Sequence, residues 1–471
     1  MSLSVKKVRN DLPTVILYIF LVMSGMMMLY SVGRPPEGYN WDIPAMLDSF
    51  MGKQFFWLLL SALAWFVINH FIDRDFWLVG SYPIYGVTLL LLLGVLIFGK
   101  EINSARSWFS LFGFTFQPSE IAKVGAALAM AAFLSQWSEK LNNLGAIGSG
   151  LLIMILPASL IVLQPDPGSA LVFSSFVLVM YREGLSPLIL VFGIFSAVMF
   201  LLGILQPTTL LTGALLSLLL IVLALSVPRH LRWWLAGMVA VVGLAGYGYF
   251  YADLGWPVVA ALFAVFVTVS AYHLLRRNGQ LVLLTSAALI WGVLVSFAAN
   301  FTFYNVLKLH QQNRINAWLR PEGMDERGEL YNIIQSKLAI AAGGLSGKGL
   351  GEGTITRYDY VPEQETDFIF SAVGEAQGFF GSMAIILGFT ALLWRISVIA
   401  ERQKRTFVRA YAYGVAGILL IHVLVNIGMT MGLMPIIGIP LPFISKGGSS
   451  LLSFTIMIAI LVKLDRHRVD V

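Results

Sequence analysis

Residues 185–227 read LSPLILVFGIFSAVMFLLGILQPTTLLTGALLSLLLIVLALSV. Two apolar runs stand back to back with only QPTT between them, and neither contains a charged side chain. A helix needs about 20 apolar residues to cross the hydrocarbon core of a bilayer. In lipid, only helices and closed barrels satisfy their own backbone groups. Each run is therefore read as a membrane-spanning helix. The same texture extends in both directions, with runs near 13–33, 54–73, 77–99, 119–137, 144–164, 168–182, 232–250, 256–275, 281–303, 367–393, 408–433 and 447–463. The pattern predicts an all-α polytopic membrane protein with about fourteen transmembrane helices. The first run follows MSLSVKKVRNDLP with no small-residue cleavage site, so it is read as an uncleaved helix.

Composition points the same way. Of 471 residues, 58% are hydrophobic and 12% are charged. Soluble domains carry about 45–50% apolar and about 25% charged residues. A soluble enzyme, a disordered chain and a nucleic-acid module are excluded. With 0 cysteines there is no disulfide, thiolate metal site or cysteine nucleophile. The 6 histidines are scattered without metal-ligand spacing.

The net charge of +6 is a topological signal. Lys and Arg collect in cytoplasmic loops. Here they fall in the even-numbered connections, at Arg74, Lys140, Arg182, Arg229, Arg232, Arg276 and Arg277, and in the cluster Arg395, Arg402, Lys404, Arg405 and Arg409. Both termini are basic, while QPDP (164–167) and YADLGW (251–256) have no Lys or Arg. Both termini are therefore expected in the cytoplasm. Residues 304–366 hold no plausible span and fall outside in this topology. Loops longer than about 12–15 residues are usually functional or disordered. This one contains Tyr, Trp, Ile and Leu and the amphipathic stretch YNIIQSKLAIAAGGL, so it is expected to be ordered and to carry the function.

Charged groups inside spans are expensive and mark a path, a site or a structural pair. Glu120 and Lys123, in FQPSEIAK, share a helix face and can pair. They read either as a local ion pair at a helix start or as ligand contacts. Asp166, in LQPDPG, reads as a turn residue or N-cap, or as a site residue. Glu375, inside the twelfth span, needs a partner or water. The outer loop offers Arg314, Arg320, Asp325, Lys337, Lys348, Arg357, Glu363 and Glu365, with basic and acidic groups nearly balanced. Composition alone does not select among them. GGLSGKGLGEG (343–353) does not fit a P-loop, although its backbone N–H groups with Lys348 can contact an anionic headgroup.

Five segments in order then carry a resemblance: ARSWFSLFGFTFQPSEIAK (105–123), QPDPGSALV (164–172), NIIQSKLAIAAGGLSGKGLGEGT (332–354), PEQETDFIFSAVGEAQGFFG (362–381) and NIGMTMGLMPIIGIPLPFISKGGSSLL (426–452). Together they resemble the SEDS family of bacterial cell-wall polymerases, the family of RodA, FtsW and SpoVE, and most closely its RodA branch. The resemblance implies a ten-helix bundle with one large extracytoplasmic loop, here 304–366, in the bacterial cytoplasmic membrane. Residues 185–303 would then contain about four extra helices, either part of a partner contact or lipid-facing padding.

The implied activity is a peptidoglycan glycosyltransferase that polymerises lipid II during cell elongation. The implied catalytic residue is Asp325, in RPEGMDERGELYNIIQS. Arg106, Lys123, Glu120, Lys348, Gln335, Ser336, Glu375 and Asp166 become candidate substrate contacts. A divalent cation, magnesium or manganese, can share the duty of neutralising pyrophosphate, but no residue pattern fixes one. The implied partner is a class B penicillin-binding protein. The sequence departs from the family pattern at Leu330 where Gly is frequent, Glu365 for His, Lys446 for Tyr and Pro167 for Leu. The competing readings are a lipid-linked precursor flippase and a non-catalytic scaffold of a cell-wall synthase.

Overall fold

The structure is a computed structural model and describes residues 11–33, 50–102, 105–111, 114–137, 143–226, 255–324 and 328–468, with parts of 237–248. Eleven helices among the described residues are long and apolar enough to cross a membrane. The all-helical polytopic architecture is as expected, and the described residues account for eleven of the about fourteen expected spans. The run at 119–137 forms a helix whose charged and small residues make it less apolar than the others. The run at 168–182 is broken into short pieces. The run at 232–250 lies largely outside the described residues.

The described residues form two compact units. The first runs up to Ser186 and resumes at Arg314. It contains α1 (Leu12–Val32), α2 (Phe50–His70), α3 (Arg74–Val79), α4 (Ser81–Phe98), strands β1 (Lys100–Ile102), β2 (Ala105–Leu111) and β3 (Phe114–Phe116), α5 (Pro118–Trp137), α6 (Leu144–Val162), α7 (Pro167–Val172) and α8 (Phe176–Arg182). The second unit, Pro187–Asn313, holds α9 (Pro187–Leu205), α10 (Thr208–Leu225), α11 (Gly255–Leu275) and α12 (Gly279–Phe301) around a core of Leu216, Leu220, Leu223, Leu262, Phe266 and neighbours. After α13 (Leu309–Leu319) the first unit continues with α14 (Glu329–Ala342), α15 (Thr354–Arg357), α16 (Ile369–Glu401), α17 (Thr406–Thr430) and α18 (Gly448–Arg466). Residues 304–366 are therefore largely structured where described.

Helix α5 is the centre of the first unit. Its Ala- and Gly-rich run is buried almost continuously from Pro118 to Leu134. Small residues let neighbouring helices approach closely in a membrane. A Cβ on Gly125 would come within 2.7 Å of Thr88 Oγ1 on α4. Helices α4, α6 and α17 pack around it.

The opposite ends of these helices are tied by ion pairs. Asp11 caps α1 and accepts from Arg395 Nε at 2.9 Å and Arg402 Nη2 at 3.0 Å. Asp465 accepts from Arg402 Nε at 2.8 Å and Gln403 Nε2 at 2.7 Å. Glu183 takes a bidentate fork from Arg409, both contacts at 2.7 Å. Several of the arginines read as topological signals thus also fasten helix ends.

The glycine-rich run has a structural task. Helix α16 is broken at Gly378, whose φ of 63° and ψ of −158° suit glycine alone. The break frees backbone groups that must be satisfied elsewhere. Lys348 N–H donates to Glu375 O at 3.0 Å, and Gly349 N–H to Ala376 O at 3.0 Å. In return, Phe379 and Phe380 N–H donate to Gly344 and Leu345 carbonyls. The run is a splint along a broken helix.

A small antiparallel sheet, which helical periodicity does not announce, links α4 to α5. Strand β2 pairs with both neighbours, in register Phe109↔Phe116 and Ser110↔Thr115 on the β3 side. It delivers Trp108, Thr115 and Gln117 to one end of the bundle.

Candidate active site

At the bundle end opposite the arginine clusters, segments of the first unit from far apart in the chain enclose a cavity of about 340 Å³. Trp108, Thr115 and Gln117 come from the sheet and its exit. Asp166 and Ser169 come from the QPDPG turn, and Arg314 from α13. Glu363, Thr366 and Asp367 precede α16, and Lys446, Ser449 and Ser450 open α18. The last two segments are stitched together. Lys446 N–H donates to Glu365 O at 2.7 Å. Asn426 Nδ2 bridges Asp367 O and Ile439 O, each at 2.8 Å.

Asp166 is both an N-cap and a cavity wall. Its Oδ1 accepts from Ser169 N at 3.0 Å, and its Oδ2 accepts from Gln117 Nε2 at 3.0 Å. Burial raises its pKa above the usual carboxylate value, against the hydrogen bonds from Ser169. Asp367 is also pushed up, to about 7. Burial is the main cause, the negative charge of Glu363 adds to it, and the Arg314 guanidinium opposes it. Carboxylates perturbed in this way, in one cleft, are a mark of a functional site.

The Asp367 shift has a stability consequence. The folded state favours the neutral acid, so this contribution is full below the ordinary aspartate value and is lost as pH rises through about 7. Asp367→Asn is expected to be at least as stable as wild type at pH 8 and to show a flatter fall in stability between pH 5 and 8. Thermal unfolding of the purified protein at both pH values measures this. An undiminished pH dependence in the variant would refute the assignment.

The candidate residues read from the sequence are dispersed. Lys123 is fully buried in α5 and binds Glu120 Oε1 at 2.8 Å and His422 Nε2 at 2.9 Å. His422 Nδ1 lies 3.0 Å from the Pro440 carbonyl. A carbonyl only accepts, so Nδ1 carries the proton and Nε2 accepts from the ammonium. Pro440 lines the cavity, which places this triad directly behind its wall. Arg106 is exposed on β2, beside lining residues Ala105 and Trp108 but not among them.

Lys348 and Glu375 pair at 3.0 Å away from the cavity lining. Glu375 also accepts from Ile355 N at 3.0 Å and Thr356 N at 2.8 Å, holding the start of α15. Ser336 is buried and donates to Thr430 O at 2.8 Å. Gln335 is half-buried on the same helix. Asp325 lies outside the described residues. Among the described residues, no group of three or more His, Cys, Asp or Glu is arranged to hold a metal ion.

Asp367 escaped sequence reasoning. Its signals are a carboxylate at the border of an apolar run, in TDFIF, and a place inside the resemblance segment 362–381. Arg314 and Glu363 were among the loop charges that composition could not rank. Two of the four departures from the SEDS pattern turn out to be partners, because Lys446 Nζ lies 3.4 Å from Glu365 Oε1.

A polytopic helical bundle with a polar, carboxylate-lined cavity at one end is the class of membrane protein defined by this geometry. The chain belongs to the FtsW, RodA and SpoVE family of cell cycle proteins, whose sequence model matches residues 12–214 and 204–470. It is 31% identical over 461 residues to the peptidoglycan glycosyltransferase RodA of Treponema pallidum (strain Nichols), covering 96% of each chain. It is 30% identical over 388 residues to the peptidoglycan glycosyltransferase MrdB of Escherichia coli (strain K12), covering 82% of this chain and 77% of that one. The fold resembles the crystal structure of the Thermus thermophilus rod shape determining protein RodA, with TM-score 0.54 and 23% identity over 98% of this chain and 97% of that one. It also resembles a chain from a structure describing coordination of polymerization and crosslinking by a peptidoglycan synthase complex, with TM-score 0.60 and 24% identity over 98% of both chains.

Proposed function

We propose that this chain is a peptidoglycan glycosyltransferase that polymerises lipid II into β-1,4 glycan strands at the outer face of the bacterial cytoplasmic membrane, in cell elongation. The observation that carries this reading is the match to relatives of that name along nearly the whole chain. The positive-inside pattern supports cytoplasmic termini, which puts the cavity end outside. The segment 304–366 is read as the extracytoplasmic catalytic loop, and 185–303 as an addition to the family bundle. The name of the synthase-complex neighbour supports a crosslinking partner, a class B penicillin-binding protein.

The reaction is an inverting glycosyl transfer. The acceptor sugar's 4-hydroxyl attacks the donor's anomeric carbon, and the lipid diphosphate departs with the bonding electrons. Asp325 takes the hydroxyl proton. Diphosphate is a good leaving group, so no second carboxyl need act as acid, unlike glycoside hydrolysis. The cations beside the cavity stabilise the charge that develops on the leaving oxygen.

Purified protein incubated with labelled lipid II, with and without its transpeptidase partner, tests the reading. Glycan strands on a gel are expected. No strands under either condition would turn the assignment to the flippase or the scaffold. Lipid II scrambling between leaflets and partner capture would separate those two.

A further inference from the structure

Lys446 is held firmly by its backbone and loosely by its side chain. Its backbone is fixed by the Glu365 carbonyl, and its neighbours are fixed too. Ser445 Oγ donates to Thr366 O, and Gly447 N–H donates to Gln54 Oε1 at 3.2 Å. Its ammonium is not gripped in the same way. The contact to Glu365 is 3.4 Å long, and both side chains are partly exposed, at 32% and 19%. The other contact is the face of Phe50, with the ring centroid 3.7 Å from Nζ. Exposed pairs of this kind contribute little, and a lysine stem has four rotatable carbons. Arg314, the other cation of the lining, stands beside Asp367 and opposes its protonation. The walls otherwise present the carboxyl groups of Asp166, Glu363 and Asp367, which repel an anion where they are ionised.

We propose that Lys446 is a diphosphate contact of the cavity, parked between Glu365 and Phe50 and turned onto the phosphate oxygens of a lipid-linked substrate when one enters. Glu365 is a positioning residue that sets how readily the ammonium is released. The proposal rests on the reading of the cavity as a site for a diphosphate-linked lipid. A charge-assisted contact to phosphate is stronger than the loose pair it replaces, so the exchange runs toward the ligand. In this chain the Glu365–Lys446 pair stands where the SEDS pattern has His and Tyr. At the Lys446 position this cavity therefore has an ammonium where the pattern has a Tyr hydroxyl.

The test titrates the full-length protein with undecaprenyl diphosphate and, separately, with the neutral prenol, each read by tryptophan fluorescence. Lys446→Gln is expected to weaken diphosphate binding about tenfold and to leave prenol binding unchanged. Lys446→Arg is expected to restore most of it. Glu365→Gln, which frees the ammonium, is expected to bind the diphosphate as tightly as wild type or a few-fold more tightly. Equal weakening by Lys446→Gln and Glu365→Gln would overturn the proposal, since the pair would then be a structural strut. Wild-type affinity in Lys446→Gln would overturn it as well. Strand synthesis is assayed separately. Wild type that binds the diphosphate selectively yet makes no strands would sink the polymerase reading and leave the Lys446 contact standing.

Discussion

Asp325→Asn is expected to abolish glycan-strand synthesis while leaving lipid II binding intact. Asparagine keeps the shape and polarity of the side chain but does not accept a proton as a carboxylate does. General-base assistance typically contributes about 10²–10⁴-fold to rate, so the variant falls to background on a strand gel. In the proposed reaction the donor's diphosphate leaves without acid help, which makes the base the main protein group taking part in proton transfer. The variant should keep the thermal stability of wild type. Equal strand synthesis by both proteins would remove Asp325 from the mechanism. No strands from either protein, with partner binding intact, would favour the scaffold.

The second large effect is on folding. Lys123→Met is expected to destabilise the protein by about 3–5 kcal/mol, the usual result of leaving one member of a buried ion pair without its partner. Glu120 is 1% exposed and Lys123 is 0% exposed, so water cannot replace the lost ammonium. Glu120 Oε2 is already buried without a protein hydrogen-bond partner. His422 loses its donor at Nε2 in the same substitution. Glu120→Gln combined with Lys123→Met removes both charges and should recover much of the loss. Membrane abundance and the thermal midpoint of the purified proteins report this. A double variant no better than Lys123→Met would show that the ammonium serves something other than the Glu120 charge.

The lining of the cavity explains why its members were hard to rank from the chain alone. Asp166, Arg314, Asp367 and Lys446 lie far apart in sequence and each has an ordinary local reading. Asp166 does cap α7, as the turn chemistry of QPDPG suggested, and its second role depends on Gln117 arriving from the sheet. Glu375 shows the reverse case. A glutamate inside a span looked as much like a site as a strut, and its carboxylate is spent on Ile355, Thr356 and Lys348. Lys348 looked like an anion contact in a glycine-rich run, and that run is spent on the break at Gly378. Neither partner is legible from the positions themselves, because the hydrogen bonds join segments that only the folded bundle brings together.

Local chemistry by itself determined the class of protein. Long apolar runs cannot stay in water, and in lipid they must be helical, so residues such as 185–227 decide their own conformation. The order of five motifs determined the family for the same reason, since each is a continuous stretch of chain. Only the tertiary structure decided which charges from distant segments meet. The Lys123–Glu120 pair is already legible as an i,i+3 contact on one helix, but the arrival of His422 behind it, the Glu365–Lys446 pair and the Asp166–Asp367 cavity each join residues whose meeting depends on helix packing. In a low-dielectric bundle, a charge's partner sets whether it is a strut, a cap or a contact for substrate.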